Sequence, residues 1–268
     1  MEHNGMQLEV LQWNVWFKED IDKVIGVIKE LNPDIVCLQE LTQGYHEQPR
    51  DNTWEHIKQE LGYYGVHQTI PIITESDEWL QANAIFSRYP LRNPEEHWLH
   101  SPADLEDITD QFRGYLQADV EINGKKLTVG TTHMSFEEYE DDDENGEESQ
   151  SHISFGQEDD GADPELSKLL NVTRRQLGRY ILTGDLNATP DSKRVRALSN
   201  RFTHAGPSFA EKTWTTKAHI TDLFEASTLD WRYDYVFTTD DITVTKARIV
   251  ETDVSDHLPI LVSFKLPD

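Results

Sequence analysis

The chain has 268 residues and a formal net charge of −26, from 50 acidic residues against 24 Lys and Arg. Hydrophobic residues make up 37% and aromatics 10%, enough for a substantial core, so a disordered acidic chain is excluded. A single cysteine, Cys37, excludes a disulfide framework and any multi-cysteine zinc site.

In chain order, Met6–Phe17 begins as a strand. Leu8, Val10 and Gln12 alternate with Glu9, Leu11 and Trp13, and both sets are largely apolar, as for an interior strand. Asp20 precedes Ile21, Val24, Ile25, Ile28 and Leu31, a helical spacing stopped by Asn32-Pro33. Asp34 to Leu38 is a short buried strand, and Thr53 to Leu61 a helix stopped by Gly62. Ala82 to Ser87 is a strand ended by Tyr89-Pro90. Tyr115–Ile122 and Lys126–Thr132 form a hairpin around Asn123-Gly124, a turn sequence whose residues tolerate positive φ.

Residues 137–165 hold 14 acids and no Lys or Arg, and without them the net charge is −12. This polar run without helical or strand period reads as a solvated surface insertion. Asp141, Asp143, Asn145 and Gly146 fit half of a calcium loop, a site for Ca²⁺, but the twelfth position, where a bidentate Glu belongs, is His152. Glu165 to Leu177 then reads as a helix with Leu166, Leu169, Leu170 and Leu177 inward. Tyr180 to Thr183 is a strand, Asp191 to Leu198 a short helix, and strands lie near Tyr233–Thr238, Ile242–Thr245 and Leu258–Phe264. With no repeat and no linker, the expectation is one α/β domain over 1–268, of packed sheets with helices outside.

Polar residues punctuate the strand ends: Asn14, Gln39-Glu40, His133, Asp185 with Asn187, Asp234, and Asp256-His257. Strand ends at one edge of a sheet commonly assemble a site from distant segments. Taken singly, each residue could be a turn or capping residue. Together the carboxylates and amides are hard oxygen ligands suited to Mg²⁺ or Mn²⁺, and the histidines could donate to a phosphate oxygen.

The segments Trp13-Asn14, Leu38-Gln39-Glu40, Thr132-His133, Gly184-Asp185-Leu186-Asn187-Ala188-Thr189-Pro190-Asp191, Asp234-Tyr235-Val236-Phe237 and Ser255-Asp256-His257-Leu258-Pro259 resemble the endonuclease/exonuclease/phosphatase superfamily, in its order. Arg113 and Thr213-Trp214 also look like family positions. The resemblance implies a four-layered α/β sandwich of the DNase I-like type, two packed, mostly antiparallel sheets with helices outside. It implies Glu40 as main metal ligand, supported by Asn14 and Asp256. Asp185 would orient or deprotonate the attacking water, with Asn187 positioning phosphate and metal. His257, paired with Asp234, would bind the phosphoryl oxygen or act as acid or base, and His133 and Arg113 would stabilise charge on the phosphorus oxygens.

The activity so implied is that of a Mg²⁺-dependent phosphodiesterase of the nuclease-like branch, acting on a short nucleic acid or nucleotide. Two alternatives stand beside it: a phosphatase or phosphodiesterase for a small metabolite or lipid headgroup, and an inactive binding module of the same fold. The acidic stretch Ser101–Asp110 and the overall charge disfavour a long polyanion. Trp16-Phe17 and Trp79-Leu80 are either core aromatics or stacking surfaces, and Tyr45 to Arg50 could line the site. No apolar run is long enough to span a membrane, and the start MEHNGMQLEV has no signal-like pattern. A monomer in the cytoplasm is the expectation.

Overall fold

A computed structural model describes residues 6–73, 78–101, 113–136, 163–176, 178–220 and 225–266. The candidate calcium loop, the stretch 102–110 and Leu177 lie outside these residues. One six-stranded sheet has the order β13-β14-β1-β2-β4-β3, formed by β1 (Met6–Asn14), β2 (Ile35–Gln43), β3 (Tyr64–Ile73), β4 (Glu78–Ser87), β13 (Thr243–Ile249) and β14 (Ile260–Leu266). The second has the order β5-β6-β7-β8-β12-β9, formed by β5 (Leu91–His100), β6 (Arg113–Ile122), β7 (Lys125–His133), β8 (Tyr180–Asp185), β9 (Thr203–His204) and β12 (Asp234–Thr238). Each sheet is antiparallel except for one parallel pair, β1 with β2 and β7 with β8. A small ladder joins β10 (His219–Ile220) to β11 (Glu225–Ala226).

Side-chain alternation builds the layers. Leu8 and Val10 of β1, Ile35 and Cys37 of β2, Val129 of β7, Ile181 of β8 and Val236 of β12 meet between the sheets. The opposite face of the first sheet, with Leu11, Trp13, Val36 and Leu38, packs on α1 (Ile21–Leu31) and α2 (Thr53–Leu61). The opposite face of the second, with Tyr115, Tyr180, Leu182, Tyr235 and Phe237, packs on α3 (Pro164–Thr173) and α4 (Lys193–Ser199). The result is the four-layered sandwich expected. Asp20 caps α1 by accepting from Asp22 N, and the chain leaves through Asn32 at φ 54°, a left-handed conformation that Asn tolerates.

The sequence-based boundaries shift in informative places. The second strand does not end at Leu38; it continues to Gln43 through a bulge between Leu38 and Leu41. The helix read as reaching Leu177 ends at Thr173. β3 and β5 were not anticipated. Both are edge strands, and their mixed sequences, each with a proline (Pro71, Pro94), are what an edge allows. Among the described residues no helix is long and apolar enough to cross a membrane.

Candidate active site

The inward-facing column of each central strand changes from apolar to polar as it approaches one end of the sandwich. Along β1 it runs Leu8, Val10, Gln12, Asn14; along β2 Ile35, Cys37, Gln39; along β7 Val129, Thr131, His133; along β8 Ile181, Thr183, Asp185. Buried polar groups are tolerable only when hydrogen-bonded, and here they are. Gln12 Nε2 donates to Gln39 Oε1 at 2.5 Å and to Asp234 Oδ1 at 3.3 Å, and Gln39 Nε2 donates to Thr131 Oγ1 at 2.8 Å. This polar floor carries the carboxylates above it. Ladder register aligns them, with His133 beside Asp185 and Asp185 beside Asp234.

Glu40 is out of phase with that column. The bulge, with Glu40 itself at φ 64°, turns its side chain toward the site. Trp16 (φ 58°) and Asn187 (φ 46°) flank the same site in the left-handed region. Such conformations cost of order 1–3 kcal/mol and cluster where function fixes geometry. Asn14 is the hub: its Nδ2 donates to Glu40 Oε1 at 2.9 Å and to Asp185 Oδ2 at 3.1 Å, while its Oδ1 accepts from Trp16 N at 3.0 Å. The amide therefore presents nitrogen, not oxygen, to the carboxylates. Phe17 N donates to the other oxygen of Glu40 at 3.1 Å.

Two histidines face Asp185 Oδ2, His257 Nε2 at 3.6 Å and His133 Nε2 at 3.7 Å. Their charges differ. Burial disfavours the His257 imidazolium, but Asp234, Asp256 and Asp185 overcome it and hold its pKa well above the usual histidine value. His257 Nδ1 meets Asp234 Oδ2 at 2.8 Å. Burial, then Arg113 and His257, push His133 well below that value, so it is neutral. Its nitrogens face donor groups, Arg113 Nη1 at 3.4 Å and Asn187 Nδ2 at 3.1 Å. Burial raises the pKa of Asp185 to about 7, with the pull of His257 opposed by the push of Asp234. Burial and then Asp256 also raise Glu40. Asp256 is lowered: burial would raise it, but His257, His219 and the Trp214 indole prevail.

The sequence-expected residues Asn14, Glu40, Arg113, His133, Asp185, Asn187, Asp234, Asp256 and His257 all gather at this end of the sheets. Thr213-Trp214 supports them: Thr213 Oγ1 accepts from Asp234 N at 3.2 Å, and Trp214 Nε1 donates to Asp256 Oδ2 at 3.0 Å. Several participants were not expected. Gln12 anchors Asp234 and is braced by the expected Gln39, and His219 Nε2 lies 3.0 Å from Asp256 Oδ2 without hydrogen-bond alignment. Trp16 and Phe17 are half-buried. Phe17 packs on Tyr45 at 5.2 Å and on Trp79 at 6.0 Å between ring centres, and Trp16 on His219 at 5.4 Å. These aromatics form a wall beginning one residue from Glu40's backbone donor. Gln48 ties the following loop to Phe17 O at 2.7 Å, whereas Arg50 pairs outward with Asp22.

The donor set fits a divalent cation. Glu40 is partly exposed, is raised in pKa by burial and then by Asp256, and shares the site with Asp185 and Asp256, so a cation there would relieve mutual repulsion. A second grouping, Asp185, Asp234 and His257, brings three potential ligand atoms within 4.8 Å of one another. In it the His257–Asp234 hydrogen bond and the imidazolium leave no free nitrogen lone pair, so the carboxylate side around Glu40 is the better cradle.

A buried Asp185 facing an imidazole–aspartate pair at the end of two packed sheets is chemistry suited to a phosphoester-hydrolase type of site. The sequence agrees: residues 11–257 match the model of the endonuclease/exonuclease/phosphatase family, and the chain belongs to that family, whose members hydrolyse phosphoesters. No curated protein matches the sequence. Among solved structures, an endonuclease/exonuclease/phosphatase from Beutenbergia cavernae is similar at 18% identity and TM-score 0.70, covering 97% of this chain and 72% of that one. The human nocturnin catalytic domain, solved with a sulfate anion, is similar at 18% identity and TM-score 0.63, covering 97% and 94%. A mannosyl-6-phosphatase from Bacteroides thetaiotaomicron is similar at 13% identity and TM-score 0.60, covering 96% and 99%.

Proposed function

We propose that this site hydrolyses phosphodiesters with a divalent cation, Mg²⁺ or Mn²⁺, held by Glu40 and assisted by Asp256. The observation that carries the reading is the division of protonation states around Asp185, a carboxylate at about 7 between a cationic and a neutral histidine. Pairs of groups driven apart in this way are how one site supplies both base and acid near pH 7. Asp185 takes a proton from the attacking water, aimed by the Asn187 N–H that holds its Oδ1 at 2.9 Å. His257, charged and oriented by Asp234, donates to a phosphoryl or leaving oxygen. Arg113 supplies a positive donor to the non-bridging oxygens, while Asn14 and Asn187 hold Glu40, Asp185 and His133 in place around them. When bound, the cation supplies Lewis acidity and a lowered pKa for water.

The substrate reading is a short nucleic acid or nucleotide, because a net charge of −26 offers no long-range capture of a polyanion while the aromatic wall offers stacking surface beside Glu40. A second reading, a small-metabolite or lipid-headgroup ester, draws on the same charge and on similarity to a sugar phosphatase. Turnover of bis-p-nitrophenyl phosphate and p-nitrophenyl phosphate with Mg²⁺ or Mn²⁺ separates them. EDTA-sensitive diester hydrolysis is expected. Monoester preference favours the second reading, and silence toward both substrates leaves only a binding module. Asp185→Asn and His257→Ala should each lower turnover by about 10²-fold or more, the scale of lost general acid–base catalysis. Near-wild-type turnover by a folded variant would remove that residue from the scheme.

A further inference from the structure

Arg113 enters the site from the first residue of β6, and its aim is set from outside the carboxylate cluster. Its Nη1 lies 3.4 Å from His133 Nδ1, and its Nε donates to Ser135 Oγ at 3.3 Å. Ser135 is held in turn by Glu165, in the first turn of α3. The Ser135 hydroxyl donates to Glu165 Oε1 at 2.6 Å and the Ser135 N–H to Oε2 at 3.0 Å. A carboxylate only accepts, so the single hydroxyl proton of Ser135 is committed to Glu165 and its lone pairs are turned toward Arg113. Both carboxylate oxygens accept; an amide has one acceptor oxygen, so its NH2 would donate to the Ser135 hydroxyl and release that hydroxyl's proton from its present direction.

Glu165 is itself buried at 6% exposure and fixed by Arg194 Nη2 at 3.7 Å and His100 Nδ1 at 3.9 Å. Arg194 is held by Asp163, the α3 N-cap, at 2.6 Å and donates to Leu186 O at 3.0 Å, next to Asp185. Burial works against the Arg113 charge, and Glu165 is the largest charge opposing that loss, ahead of Glu40 and Asp185.

We propose that Glu165 is a positioning residue for the hydrolytic reaction, acting through Ser135 to aim the Arg113 guanidinium at the substrate's phosphoryl oxygens. This rests on the hydrolase reading above and adds a residue of α3 to it.

The test is a double-mutant cycle on bis-p-nitrophenyl phosphate with Mg²⁺, using Glu165→Gln, Arg113→Ala and the pair together. Glu165→Gln should lower kcat by about tenfold with KM changed by less than about twofold, the usual scale for losing an outer support of an active group. On the Arg113→Ala background the same change should cost less than about twofold. A full tenfold loss persisting there, or wild-type kcat in Glu165→Gln, overturns the proposal. Should Glu165→Gln fail to fold, Ser135→Ala takes its place in the cycle with the same expectations. If the wild-type protein hydrolyses neither diester nor monoester, the hydrolase reading falls by itself. Calorimetric binding of inorganic phosphate then tests the Glu165–Arg113 link: Glu165→Gln must weaken binding as Arg113→Ala does, and unchanged affinity overturns it.

Discussion

Asp185 and its two histidines show how burial alone does not decide a charge. All three groups are buried, yet His257 is held as a cation against that burial by Asp234, whereas His133 is held neutral by burial with Arg113 adding to it. The consequence is a pH profile with assignable limbs. The basic form of Asp185 grows as pH rises through about 7, so kcat/KM should climb there. The acidic form of His257 is lost only well above 6.5, so the falling limb lies on the alkaline side. A profile measured from pH 5 to 10 should therefore be bell-shaped, and a bound cation should move its rising limb to lower pH by favouring the charged carboxylate. In Asp185→Asn the residual activity should lose that rising limb. An unchanged rising limb in this variant would assign it to another group.

At the level of elements, the site follows from strand periodicity. The polar residues at the strand ends were legible because they interrupt apolar columns of period two, and the Gly184-Asp185-Leu186-Asn187 and Ser255-Asp256-His257 segments made the family resemblance plain. Glu40 was legible as a ligand type but not as a bulge residue, since its left-handed backbone follows from the register between β2 and β4. Gln12, His219 and Glu165 gave no signal. Their roles depend on partners 27 to 222 residues away, such as Gln12 with Gln39 and Asp234, which no local pattern encodes. Register also makes a prediction at Gly184. A Cβ there would lie 2.4 Å from Thr132 O, a backbone atom of the neighbouring strand. Because β7 and β8 bring His133 and Asp185 side by side, Gly184→Ala should force the strands apart at the site. We expect a loss of about 1–3 kcal/mol in denaturant unfolding, the usual cost of overpacking, together with lower turnover. Wild-type stability would mean that the Thr132–Gly184 contact relaxes freely.

For the whole molecule, the excess of acid makes stability depend on pH in a direction that the buried groups determine. His67, His133 and His204 are all held below 6.5, His204 at about 4, chiefly by burial. Their unfolded forms bind protons that the folded forms do not, so they cost stability as pH falls through 6.5. Asp185 and His257 act the other way. Raised above their unfolded values, they add stability that is complete below those values; it is lost between the ordinary carboxylate range and about pH 7 for Asp185, and from about 6.5 upward for His257. Cys37, raised to about 12 by burial, adds to the loss once the unfolded thiol ionises above pH 8. The metal-free protein should thus melt highest close to neutrality and lose several degrees between pH 7 and 9, chiefly through His257 and then Cys37, at roughly 2–4 °C per kcal/mol for a chain of this size. Mg²⁺ or Mn²⁺ should restore part of that loss, because a cation at Glu40 and Asp256 stabilises only the folded carboxylate cluster. Asp185→Asn removes a contribution that declines below pH 7, so its melting temperature should climb more steeply from pH 5 to 7 and keep most of the decline from pH 7 to 9. Thermal melts across pH 5 to 9, with and without cation, check each sign. A melting temperature that keeps rising from pH 7 to 9 in the metal-free protein would show that His257 is not the group that dominates the folded molecule's proton balance there.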